Sequence, residues 1–110
     1  MNIDKNIFLQ TNDLPWESTD SPGVFYKSLR YDKTTKAGSV LIRMDANSSY
    51  PEHEHTNGED FIVLEGELII DGQRYPEGSY VYSPPGSVHH PHTEKGVLLF
   101  SVFHGKIRNT

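Results

Sequence analysis

The sequence contains no cysteine. Disulfides, thiolate zinc sites and cysteine nucleophiles are therefore excluded. It also lacks any run approaching the ~20 apolar residues that span a bilayer. The N-terminus, Met1 to Gln10, carries Asp4, Lys5 and Asn6 and has no apolar signal core. There is no basic stripe either. Lys and Arg total 10 against 15 Asp and Glu, a formal charge of −5, so a phosphate backbone would find no electrostatic footing. No window keeps a helical period over several turns. These absences lead us to expect a soluble, cytoplasmic protein with no nucleic-acid partner and no membrane association.

A length of 110 residues suits a single domain over residues 1–110 with one core. Hydrophobic residues make up 35%, low for a stable fold. A barrel with some polar groups inside, or an oligomer that hides further surface, fits that balance.

What the chain does have is turn residues at short intervals. Pro22-Gly23, Gly38, Asn57-Gly58, Gly66, Asp71-Gly72, Glu77-Gly78 and Pro84-Pro85-Gly86 divide it into short runs of Val, Ile, Leu, Phe and Tyr. The runs predict strands at Asn6–Thr11, Val24–Tyr31, Ser39–Asp45, Phe61–Leu64, Glu67–Ile70, Gln73–Tyr75, Tyr80–Ser83 and Val97–Phe103. An all-β sandwich or barrel follows. Val40, Ile42 and Met44 should share one face of their strand, and Arg43 and Asp45 the other. Asp71-Gly72 predicts a two-residue hairpin with φ > 0 at both residues. Gly66 and Gly78 are expected in further tight turns. The first 20 residues form an N-terminal strand or arm and residues 21–110 the barrel. Leu14-Pro15-Trp16 either packs as a lid or reaches a partner.

The chemistry concentrates in Pro51–Glu59 and Gly78–His92, which hold five of the six histidines. His53 and His55 are two apart, which on a strand sets both imidazoles on one face with Cβ atoms ~7 Å apart. If Thr56-Asn57-Gly58 is a three-residue loop with Gly58 at φ > 0, His55 pairs with Glu59 and His53 with Phe61, and all four share a face. A two-residue Asn57-Gly58 turn would point Glu59 away. We predict the three-residue loop. His89 follows the stiff Pro84-Pro85-Gly86 turn and loses little entropy when fixed on an ion. His53, His55, Glu59 and His89 are therefore the expected ligands of one divalent metal. Three imidazoles and a carboxylate suit Zn or Fe first, with Mn, Ni, Co or Cu compatible.

Taken singly these signals are weak. His-x-His is most often a solvated pair, Asn-Gly only a hairpin, and Pro-Pro-Gly only a loop. His90 and His92 read as surface or supporting groups, and His104 as structural or solvated. Glu52, Glu54 and Asp60 alternate with the ligands and should face outward. Phe61, Tyr80, Tyr82, Phe100 and Phe103 are candidate pocket-lining residues, of which alternation turns only some inward.

In conjunction the spacings resemble a known family. His53-x-His55-x3-Glu59-x6-Gly66 is similar to the first signature of the cupin superfamily, and Gly78-x5-Pro84-x-Gly86-x2-His89 to the second. Asn47 stands where the first usually begins with glycine, and Thr93 where the second usually ends in asparagine. Leu14-Pro15-Trp16, the Pro51–Glu67 segment, Tyr75–Val81 and Pro84–His89 resemble the ChrR-like cupin branch. That resemblance implies a conical β-barrel, or jelly roll, with metal at His53, His55, Glu59 and His89, and a homodimer. It also implies two functions. One is a non-haem, metal-dependent dioxygenase cleaving small diketones or aryl ketones; the other is the zinc-binding, non-enzymatic sensor domain of anti-sigma factors or a small-molecule-binding relative. The sensors carry a separate helical domain for which this chain has no room, so the expectation leans toward an enzyme acting on a small-molecule substrate. The sequence names no general base beyond the metal.

Overall fold

The computed structural model describes residues 6–109. Its strands, in chain order, are β1 (Glu17–Ser18), β2 (Val24–Tyr31), β3 (Gly38–Met44), β4 (His53–His55), β5 (Glu59–Ile70), β6 (Gln73–Pro76), β7 (Tyr80–Ser83), β8 (Ser87–His89), β9 (Val97–Phe103) and β10 (Ile107–Asn109). The larger sheet runs β1-β2-β3-β9-β5-β6, with β7 also on β5, and the smaller runs β10-β4-β8. Among the described residues no helix is long and apolar enough to cross a membrane. The two sheets enclose an apolar interior in a jelly-roll barrel.

Alternation fills that interior. Val24, Met44, Phe61, Val63, Leu68, Ile70, Val97 and Leu99 form the buried cluster. Val40, Ile42 and Met44 do share the inward face, as the pattern predicted. Asp71 and Gly72 both take positive φ, 50° and 79°, and join β5 to β6 with Ile70 opposite Gln73. Gly78 lies at φ 88° in the turn closed by Ser79 N–H donating to Pro76 O at 3.0 Å.

Three expectations are corrected. Residues 6–10 form no strand, and Thr11–Asp13 is a short 3-10 turn; the apolar run there meets no sheet edge that would turn propensity into pairing. Phe61–Leu64 and Glu67–Ile70 are one strand rather than two. Gly66 makes no turn. It sits beside a register shift between Val63 and Glu65, and an added Cβ would stand 2.1 Å from Gly96 O. Glycine is required there for close backbone approach. The short strands β1, β8 and β10 escaped the sequence reading, being too brief to show a period.

Asn47 takes φ 62°, the left-handed geometry that glycine supplies in the usual motif and that asparagine tolerates. Thr93 is 2% exposed. Its hydroxyl donates to Glu67 O at 2.7 Å and accepts from Gly96 N–H at 3.0 Å. Both departures from the family pattern thus keep the local turn.

Candidate metal centre

The three-residue loop is present, with Gly58 at φ 90° and its N–H donating to His55 O at 3.1 Å. The pairing predicted around it is not. His53 lies opposite His89 and His55 opposite Ser87, while Glu59 lies opposite Ser83 and Phe103. The loop carries the chain from the small sheet to the large one instead of closing a hairpin. The three histidines therefore share a face of the small sheet, as His53 and His55 were expected to, and Glu59 reaches them from the large one.

They meet closely. One donor atom each from His55, Glu59 and His89 lies within 4.8 Å of the others, a group that could hold a metal ion. Bonds of about 2.0–2.2 Å place ligand atoms up to about 4.4 Å apart around one ion, so small side-chain adjustments close the set. His55 Nε2 stands 3.2 Å from Glu59 Oε1 and 3.0 Å from His53 Nε2. His53 Nδ1 lies 2.9 Å from Pro51 O; donating there leaves Nε2 as the lone-pair nitrogen turned inward. His55 Nδ1 and His89 Nε2 are buried without a hydrogen-bond partner. Several buried nitrogen lone pairs converging with a carboxylate are costly unless a proton or a cation satisfies them. The donor set therefore fits a borderline divalent ion.

Burial dominates the titration of these groups. It lowers His55 to about 3, with the neighbouring His53 and His89 adding to the effect. It also lowers His53 and His89. It pushes Glu59 up to about 7, against the hydrogen bond from Ser101. Neutral imidazoles are the ligating form.

The cluster opens on a cavity of about 290 Å³ whose walls include Val40, Ile42, Phe61, Leu99, Phe103 and Ile107. Among the described residues no Lys or Arg lines it. Of the expected aromatic lining, Phe61 and Phe103 face the cavity, whereas Tyr80 and Tyr82 are 61% and 56% exposed on the outside. Phe100 also faces out, opposite Ile62. Glu54 pairs outward with Arg108 at 2.5 Å, and Asp60 with His104 at 2.5 Å. His92 bridges Ser49 and Ile69 through its backbone, and His90 is exposed.

Two site residues escaped the sequence reading. Tyr50 lines the cavity with its ring edge-on to His53 at 5.3 Å. Ser101, 1% exposed, donates to Glu59 Oε2 at 2.6 Å. Its signal was available: a lone hydroxyl at an inward position between Leu99 and Phe103.

The comparisons agree with this fold. A candidate acetylacetone dioxygenase from Methylibium petroleiphilum PM1 superposes with a TM-score of 0.92 at 16% identity, covering 100% of this chain and 84% of that one. The anti-sigma ChrR of Rhodobacter sphaeroides, in complex with SigE, superposes at 0.73 and 20% identity, covering 86% of this chain and 51% of that chain. The DNA damage-repair/toleration protein DRT102 of Arabidopsis thaliana is 28% identical over 90 residues, which are 76% of this chain and 28% of the relative. The chain thus spans little more than a quarter of that relative and about half of the ChrR chain. The architecture and the histidine–glutamate cluster define a cupin with a candidate metal centre. The chain belongs to the ChrR Cupin-like domain family, whose model matches residues 4–108.

Proposed function

We propose that the chain binds one divalent metal ion through His53, His55, Glu59 and His89 and acts as a metal-dependent dioxygenase on a small diketone or aryl ketone. The carrying observation is the convergence of His55, Glu59 and His89 at the wall of an apolar cavity that no lysine or arginine among the described residues lines. His53 joins the set because its Nε2 faces His55 Nε2 at 3.0 Å. A bound ion supplies Lewis acidity toward a carbonyl oxygen and, if redox-active, electron transfer with O₂ as co-substrate.

The protein's own groups do the rest. Val40, Ile42, Phe61 and Leu99 exclude water and take the substrate's apolar body. With no lysine or arginine among the described residues of its lining, the cavity favours a neutral substrate over a carboxylate or phosphate. Ser101 holds Glu59 Oε2 and leaves Oε1 toward His55. The Pro51 carbonyl fixes the His53 tautomer. The similarity to a candidate acetylacetone dioxygenase supports the reading.

A second reading, a non-enzymatic zinc-binding sensor or small-molecule-binding cupin, is favoured by membership of the ChrR-like family. One experiment separates them: metal analysis of untagged protein, then O₂ uptake after Fe(II) loading with a panel of β-diketones and aryl ketones. About one equivalent of metal with substrate-dependent uptake carries the enzyme reading. Tight zinc with no uptake carries the sensor reading. No metal under any loading condition refutes the enzyme and the zinc-sensor readings and leaves a metal-free small-molecule-binding cupin.

A further inference from the structure

A ligand of the buried centre has to pass from solvent into the cavity, and the cavity wall marks the place. Of the described residues that line it, only Tyr26 and Ile107 are more than a third exposed, at 37% and 40%. They stand on different sheets. Tyr26 lies opposite Ile42 in the β2–β3 pair. Ile107 lies opposite His55 in the β10–β4 pair. Directly opposed residues of antiparallel strands project to the same side, with Cβ atoms about 5 Å apart. Ile107 is therefore the neighbour of a candidate ligand on the inward face of the small sheet.

Topology explains why the barrel opens here. Register sets Gly38, Phe103, Glu59 and Ser83 in one row at one end of the large sheet. Short crossings to the small sheet meet this row at three of the four residues. Residues 56–58 lead into Glu59, 84–86 leave Ser83 and 104–106 leave Phe103. Gly38 has none, because residues 32–37 turn its strand back to β2. The end is thus sealed beside β5, β7 and β9 and left open beside β3 and β2. The segment 104–109 forms the margin of the opening.

That margin is fixed by its backbone and its outer face. His104 N–H donates to Gly58 O at 3.1 Å. Thr56 donates to Lys106 O twice, from its N–H at 3.2 Å and its hydroxyl at 2.6 Å. Arg108 pairs with Glu54 at 2.5 Å. Gly105 is buried, and an added Cβ would stand 2.1 Å from Asn57 Nδ2. None of these holds uses the side chain of Ile107, the one apolar residue between His104 and Asn109.

We propose that neutral ligands enter the cavity between Tyr26 and Ile107, and that Ile107 sets the greatest width that reaches His55. A β-branched side chain has few rotamers, so on a fixed strap it makes a stiff stop. The width limit rests on the cavity being the ligand site proposed above. The route does not depend on the reaction run there.

The test needs no turnover. Diethyl pyrocarbonate and its bulkier homologue dibenzyl pyrocarbonate are neutral and acylate unprotonated imidazole. On metal-free protein, peptide mass spectrometry reads the rate at His55 against that at exposed His90. Ile107→Ala should speed His55, and most for the dibenzyl reagent, by roughly tenfold or more, the scale on which apolar pockets discriminate single methylenes. Tyr26→Ala should act in the same sense from the facing rim, and Ile107→Trp in the opposite sense. Val88→Ala, on the outer face opposite Glu54, should leave the His55 rate as in wild type. Circular dichroism should report an unchanged fold in every variant. A His55 rate indifferent to both Ile107→Ala and Tyr26→Ala overturns the route. A diethyl-to-dibenzyl ratio unmoved by Ile107→Ala and Ile107→Trp overturns the width limit. Failure of the dioxygenase reading would leave both results readable.

Discussion

Ser101 Oγ donates to Glu59 Oε2 across 2.6 Å with both residues buried. The bond ties one carboxylate oxygen to β9 and leaves the other, Oε1, 3.2 Å from His55 Nε2. Supporting hydrogen bonds of this kind commonly contribute 10- to 100-fold in metal affinity. Ser101→Ala should weaken metal binding about tenfold, and Ser101→Thr should recover part of it. A competitive titration against a chromogenic chelator reads both. Equal affinity in wild type and Ser101→Ala would remove Ser101 from the site.

Alanine at His53, His55, Glu59 or His89 should each sharply reduce metal retained through gel filtration. His104→Ala breaks only a part-exposed pair with Asp60, an interaction of about 1 kcal/mol or less. Its metal content should match wild type. Metal loss in His104→Ala, or full retention in His89→Ala, would redraw the ligand set.

Metal-free protein should lose thermal stability as pH falls from 7 to 5. His55 is lowered from 6.5 to about 3, so below 6.5 the unfolded chain takes up a proton that the folded state refuses. His53 and His89 shift the same way. Glu59 is raised from 4.5 to about 7. Its contribution is present at low pH and is lost as pH rises through that window. Three histidines oppose one glutamate, so the histidines set the sign. Glu59→Gln removes the opposing group and should steepen the fall. A midpoint that rises on acidification would contradict this balance.

Gly66→Ala should destabilise the protein by about 2–3 kcal/mol, because positive φ and overpacking act together there. Gly66 lies at φ 79°, and the new Cβ would meet Gly96 O at 2.1 Å. Gly72→Ala meets nothing within 4 Å and should lose only the cost of its φ. Urea midpoints of the two variants test the difference.

The fold class and most strands were legible because alternation and turn residues report a half-buried strand directly. Val40, Ile42 and Met44 point where their spacing said. The convergence of His55, Glu59 and His89 was expected from spacing, but for the wrong reason. His55 and Glu59 were expected as neighbours in one hairpin, yet they reach each other from opposite sheets. A three-residue loop has the same signature whether it closes a hairpin or crosses between sheets, and only long-range pairing decides. Ser101 and Tyr50 contact their partners across 42 and 3 positions of sequence respectively. The first distance is invisible to local pattern, and the second reads as an ordinary aromatic at a strand entry. The unpaired Ile7–Leu9 run looked like a strand because propensity carries no information about whether a neighbouring edge exists.

The strands that bear His53, His55 and His89 are three residues long each and belong to the three-stranded sheet, whereas Glu59 opens a twelve-residue strand of the larger one. An ion shared by these groups would bolt the least cooperative part of the barrel to its most cooperative part. Its release would unfasten the cavity mouth without melting the frame. Amide hydrogen exchange along β4, β8 and β10 should therefore track metal occupancy, while β3, β5 and β9 exchange at the rate of global unfolding with or without it. The centre would then serve as the hinge pin of the barrel.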